Sequence, residues 1–238
     1  MAPIEDDGKN VKIFDAARIY PLGDTALTLV FGESVDVEIN ARVMRAVSAL
    51  CAARIPGVTE TVPTFASLTV HFDPAAMARD ELIARIGALS IPAGEAAGTG
   101  RVREIPVLYD GADLADVAEE SGLTPDGVRD LHAGTEYHVY MLGFLPGFAY
   151  LGDLPERLRL ARLKEPRIRV PAGAVAIAGP MTAVYPSASP GGWRLIGRTP
   201  FVLFDHRADP PNLLAPGDTV RFRAIGADEF HRLSESVS

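Results

Sequence analysis

Three arginines, Arg167, Arg194 and Arg198, lie in a part of the chain that is otherwise rich in glycine, proline and aromatic residues. A guanidinium is planar and permanently charged, so each can hold a carboxylate or a phosphate through parallel hydrogen bonds. Gly191 and Gly192 stand among them in "YPSASPGGWRLIGRTP" (residues 185–200), and adjacent glycines expose peptide N–H groups to an anion. Phe148, Tyr150 and Trp193 supply apolar walls. Together these residue types predict an anion-tolerant pocket lined by rings. A purely structural reading stands beside it: glycine and proline turn the corners of a small barrel, and Trp193 fills its core. The residues alone leave both open, and they mark no catalytic acid or base.

Other chemistries find less support. The chain contains no G-x-x-x-x-G-K-[ST] loop, no G-x-G-x-x-G after a strand and no G-x-S-x-G elbow. Ser187 and Ser189 lie in a proline-flanked loop, where hydroxyls cap turns. His132, Glu136 and His138 mix helical and strand spacing across Gly134, so they do not form a metal triad, and His138 reads as structural. Residues 114–132 read as a helix-turn-helix, with Gly122 ending one helix, Thr124 capping the next and Pro125 in its first turn. Six acids (Asp113, Asp116, Glu119, Glu120, Asp126, Asp130) face only Arg129 there, which repels DNA and predicts a solvated acidic surface.

The elements that must position these residues follow from apolar periodicity. Residues 24–32 and 67–73 alternate as strands. A helix follows the first, with Ser34 as its cap and Val35, Ile39, Val43 and Val47 on one face; another is expected to start at Asp73-Pro74. This is an alternating α/β unit. The glycine- and alanine-rich residues 91–100 read as a junction. Beyond it come a strand at 103–109, two short helices, and then short apolar runs between glycines and prolines, which favour a closed or sandwiched β structure.

Composition bounds the rest. The 238 residues carry a formal net charge of −8, which disfavours a nucleic-acid partner. Cys51 is the single cysteine, so no disulfide framework or thiolate metal cluster forms within one chain. No apolar run approaches the roughly 20 residues that span a bilayer, and the polar start of the chain is unlike an export signal. A cytoplasmic protein with no membrane partner is expected.

In order and interval, "YMLGFLPGFAYLG" (140–152), "EPRIRVPAGAVAIAG" (165–179) and the stretch at 185–200 resemble the KipI/PxpB family, also called allophanate hydrolase subunit 1. The resemblance is densest from Ile105 to Ala224 and extends over nearly the whole chain. It implies an α+β fold: a small amino-terminal α/β domain, residues 11–92, and a cyclophilin-like β-barrel domain, residues 101–232. It also implies one subunit of an ATP-dependent 5-oxoprolinase that opens 5-oxoproline to glutamate; with no nucleotide loop of its own, the chain is expected to be inactive alone. The partners implied are a PxpC-like subunit (allophanate hydrolase subunit 2) and a PxpA-like (LamB/YcsF) subunit, with ATP and magnesium at a site shared with a partner.

On that reading Arg167 or Arg198 pairs with the substrate carboxylate or a transferring phosphoryl group. The amides of Gly191 and Gly192 face developing oxyanion charge, Tyr150 and Trp193 wall the ring, and Thr199 completes the substrate-binding set. The family's names imply two alternatives: an inhibitor docked on a sensor histidine kinase, or a subunit of an allophanate- or urea-related amidohydrolase. Two residues depart from the family pattern: Ala149 replaces its usual proline and Ala174 its usual serine.

Overall fold

The computed structural model describes residues 10–91 and 100–237, apart from a few terminal and isolated side chains. The chain divides into two compact units between residues 99 and 100. The junction expected at 91–100 falls almost wholly outside the described residues.

The amino-terminal unit runs β1 (Val11–Lys12), α1 (Ile13–Ala16), β2 (Arg18–Leu22), β3 (Ala26–Val30), α2 (Val37–Ala53), β4 (Val58–Pro63), β5 (Ser67–Phe72), α3 (Arg79–Ala88) and β6 (Ser90–Ile91). Its four-stranded sheet has the order β2-β3-β5-β4 and is antiparallel throughout, because β5 inserts between β3 and β4. Alternation along β3 and β5 buries Leu27, Leu29, Leu68 and Val70, and Val43 and Leu50 of α2 pack against them.

Two helix starts differ from expectation. Asp36, not Ser34, caps α2: its Oδ1 accepts from the N–H groups of Glu38 (2.8 Å) and Ile39 (3.0 Å), and Val35 is left exposed. Asp73 and Pro74 open a turn instead of a helix. The Asp73 side chain caps Ala75 N–H at 2.9 Å, and α3 begins only at Arg79.

The carboxy-terminal unit contains β7 (Val102–Val107), α4 (Leu114–Ser121), α5 (Pro125–Ala133), β8 (Glu136–Leu142), β9 (Ala149–Gly152), β10 (Arg167–Val170), β11 (Ala174–Ala178), β12 (Met181–Val184), β13 (Ser189–Gly191), β14 (Arg194–Arg198), β15 (Thr219–Ala224) and α6 (Ala227–Val237). Seven strands form one sheet in the order β14-β11-β12-β9-β8-β15-β7. Its two end strands meet: Leu108, just after β7, exchanges two backbone hydrogen bonds of 2.9 Å with Arg198 at the end of β14. The sheet thereby closes into the expected cyclophilin-like barrel, leaving no long free edge. Gly197 allows this closure, since a Cβ there would meet Leu108 O at 2.6 Å.

Inside the barrel, Ile105, Tyr137, Leu151, Ile177, Ile196 and Phe222 are buried. His132 of α5 enters this core, stacked on Phe222 at 4.6 Å. Thr182 Oγ1 donates to Ala176 O at 3.0 Å and so accepts from His132 Nε2–H at 2.9 Å; Nδ1 then accepts from the Tyr109 hydroxyl at 2.8 Å. The ring is thus fully satisfied while neutral, and burial lowers its pKa from 6.5 to about 3. Glu136, on β8, accepts from Arg221 Nε at 2.8 Å. Among the described residues no group of three or more His, Cys, Asp or Glu side chains is placed to hold an ion. Nor is any described helix long and apolar enough to cross a membrane.

Candidate functional site

The outer face of β9, β11 and β12 carries a second apolar layer. Strand alternation sends Leu151 and Val175 into the barrel and Phe148, Ala174, Ala176 and Tyr185 outward, and Tyr150 and Trp193 pack on that outer layer. Phe148 lies edge-on to Tyr150 (5.1 Å between centroids), Tyr185 (5.3 Å) and Trp193 (5.8 Å), and Tyr150 is 6.1 Å from Trp193. Phe148 and Tyr185 are buried, whereas Tyr150 and Trp193 are half-buried, so the rings form a shelf with two faces toward solvent.

The antiparallel β10–β13 ribbon flanks this shelf, with Arg167 opposite Gly191. A Cβ on Gly191 would overlap the Tyr185 hydroxyl, which accepts the Trp193 N–H. The segment after β9 is fastened alongside: Leu163 N–H donates to Gly192 O at 2.7 Å, and Arg194 Nε donates to Ala161 O at 2.9 Å. Arg162 stands between these two ties. Its charge acts on both Tyr150 and Tyr185, opposing the rise that burial gives their pKa values, and it forms no ion pair among the described residues.

Of the expected binding residues, Tyr150, Arg167, Gly191, Gly192 and Trp193 therefore come together. Arg198 and Thr199 do not join them: β14 carries Arg198 about 16 Å along the strand from Trp193. The Arg198 guanidinium binds Asp110 (2.8 Å) and lies 4.5 Å above the Phe230 ring. Thr199 is buried, its hydroxyl accepting Phe201 N–H at 3.2 Å.

Every arginine picked out by residue type already has a carboxylate. Arg167 pairs with Asp113 at 2.5 Å, and the other Asp113 oxygen accepts Leu195 N–H at 2.6 Å. Arg194 binds Glu120 through both terminal nitrogens, at 2.7 and 3.1 Å. The acidic segment expected to be solvated thus supplies Asp113 and Glu120 to Arg167 and Arg194, and Asp110, which precedes it, holds Arg198. Arg162 is the cation that residue type overlooked. Its signal was weak, the basic run Arg159, Arg162, Lys164, Arg167 and Arg169 in an acidic chain.

The serines offer no nucleophile. Ser187 is exposed, and the buried Ser189 Oγ has no hydrogen-bond partner, and hence no base, among the described residues. Ala149 faces the barrel core, while Ala174 belongs to the shelf's apolar layer, so the serine usual there would place a hydroxyl among the rings. Tyr150 and Trp193 leave ring surface half-exposed, the kind of area on which a small flat ring packs.

Comparison with known proteins agrees with this architecture. Residues 17–214 match the family model described as carboxyltransferase domain, subdomain C and D. The chain is 38% identical over 235 residues to a 5-oxoprolinase subunit of Bacillus subtilis (strain 168), covering 92% of this chain and 97% of that one. It is 45% identical over 210 residues to the corresponding 5-oxoprolinase subunit of Escherichia coli O157:H7, covering 87% and 95%. Among solved structures, TTHA0988 superposes with a TM-score of 0.78 at 42% identity, over 85% of this chain and 40% of that chain. The Kluyveromyces lactis urea amidolyase superposes with a TM-score of 0.71 at 21% identity, over 93% of this chain and 15% of that one, a likeness of fold.

Proposed function

Because the chain belongs to the carboxyltransferase subdomain C and D family, in the KipI/PxpB branch that includes these 5-oxoprolinase subunits, we propose that it is a subunit of an ATP-dependent 5-oxoprolinase. The observation that carries this reading is 38% and 45% identity, over nearly the full length, to two proteins of that name, joined to a ring-lined shelf. The reaction consumes ATP and two waters, breaks the lactam C–N bond and releases glutamate, ADP and phosphate. Tyr150 and Trp193 would sandwich or wall the five-membered ring, and Arg162 would hold its carboxylate. The turn at Gly191 and Gly192 would bring backbone amides toward the lactam oxygen. Arg167 acts as a positioning residue, held by Asp113 and reaching Trp193 O at 3.5 Å.

A nucleoside triphosphate finds little free charge among the arginines picked out by residue type, since Arg167, Arg194 and Arg198 already hold Asp113, Glu120 and Asp110. ATP and its magnesium belong, on this reading, to a site completed by a PxpC-like (allophanate hydrolase subunit 2) or PxpA-like (LamB/YcsF) partner in the cytoplasm. The test is glutamate formation from 5-oxoproline and ATP by the three purified subunits, with each omitted in turn. Turnover should vanish without this chain, and full turnover in its absence would reject the assignment.

A further inference from the structure

One mouth of the barrel carries charges that the shelf does not use. Arg103 shares strand parity with Ile105 and Val107, whose side chains fill the barrel, so it faces inward at the open end of β7. There it lines a cleft of about 460 Å³ together with Arg101, Val202, Phe204, His206 and the Asp205–Arg207 pair. Barrel mouths of this size are common seats for small molecules. Arg103 Nε is buried without a hydrogen-bond partner among the described residues, an arrangement that favours an acceptor supplied by a ligand.

The neighbouring acids are already engaged. Asp218, 4% exposed, accepts Arg101 N–H at 2.8 Å and Ala215 N–H at 2.9 Å, which fixes the Arg101 backbone without neutralising its guanidinium. Asp205 is chelated by Arg207, Nε to Oδ1 at 3.0 Å and Nη2 to Oδ2 at 3.1 Å, so that pair cancels locally. Two guanidinium groups without an ion pair among the described residues remain, with exposed His206 beside them, in a chain of net charge −8. Convergence of two such forks suits a compact dianion better than a single carboxylate.

We propose that this barrel mouth binds a phosphate group, either free or carried on a small organic molecule whose apolar part lies against Val202 and Phe204. The site does not rest on the oxoprolinase reading, and its test requires no turnover. Isothermal titration of the full chain would use inorganic phosphate, ADP and, as the carboxylate arm, glutamate. Phosphate should bind, Arg103→Met and Arg101→Met should each weaken it by about tenfold or more, and Arg42→Met, in the amino-terminal unit, should leave it unchanged. Should Arg103→Met fail to fold, Arg101→Met carries the test, because that side chain is exposed. ADP that displaces phosphate assigns the group to a nucleotide, and ADP that does not assigns it to free phosphate; either result upholds the site. No phosphate binding, binding undiminished in both arginine variants, or glutamate bound as tightly as phosphate would overturn it.

Discussion

Acidification should destabilise this protein through one buried ring. His132 is neutral in the folded state because both nitrogens are already committed: Nε2–H donates to Thr182 and Nδ1 accepts from Tyr109. A second ring proton would displace the Tyr109 donor and place a charge in the barrel core. In the unfolded chain the ring titrates near 6.5, whereas the folded ring titrates near 3. Below 6.5 the unfolded state therefore takes up a proton that the folded state refuses, so stability is complete above that pH and declines as pH falls toward 3. At pH 5 the loss from this group is about 2 kcal/mol. Urea unfolding of wild type and His132→Gln at pH 7.5 and pH 5 isolates it. Glutamine lowers stability at both values through lost packing on Phe222, but it does not titrate. The wild type should lose about 2 kcal/mol more than the variant between the two pH values. Parallel losses would refute the assignment of His132 as a buried neutral residue.

The site's supporting contacts give further expectations. Asp113→Ala leaves both the Arg167 guanidinium and Leu195 N–H without their acceptor and should cost about 3 kcal/mol in denaturant unfolding, while Asp113→Asn combined with Arg167→Met should cost less than the sum of the single changes. Gly191→Ala drives a methyl into the Tyr185 hydroxyl and should cost about 1–3 kcal/mol; adding Tyr185→Phe should recover part of the loss, read as a rise in melting temperature over the single variant. Gly197→Ala crowds Leu108 O where the barrel closes and should lower the melting temperature with no rescue from any side-chain change, because the obstacle is backbone.

How much of this was legible in the sequence depended on how local the cause was. Gly122, Thr124 and Pro125 marked the α4–α5 corner because their effects act within one turn: Gly122 has φ 63° and Thr124 Oγ1 accepts Gly127 N–H at 3.1 Å. Strands such as β5 were legible because alternation records which face is buried. The cap of α2 was misplaced by two residues because Ser34 and Asp36 are both competent acceptors and only backbone geometry chooses between them. The fate of the arginines could not be read. Arg167 meets Asp113 across 54 positions, Arg194 meets Glu120 across 74 and Arg198 meets Asp110 across 88, and barrel closure makes these pairs. Arg162 was missed for the converse reason: nothing in its spacing distinguishes it, and its place is set by its chain neighbours, with Ala161 O accepting from Arg194 Nε and Leu163 N–H donating to Gly192 O.

The account turns on the shelf as part of the substrate site of an assembled enzyme, with Arg162 as the carboxylate's partner. The most direct measurement is the KM for 5-oxoproline of the reconstituted three-subunit enzyme carrying Arg162→Met, with the KM for ATP measured in parallel. Loss of one charge-assisted contact should raise the KM for 5-oxoproline by about tenfold or more and leave that for ATP unchanged. An unchanged KM for 5-oxoproline in a folded, assembled variant would contradict it.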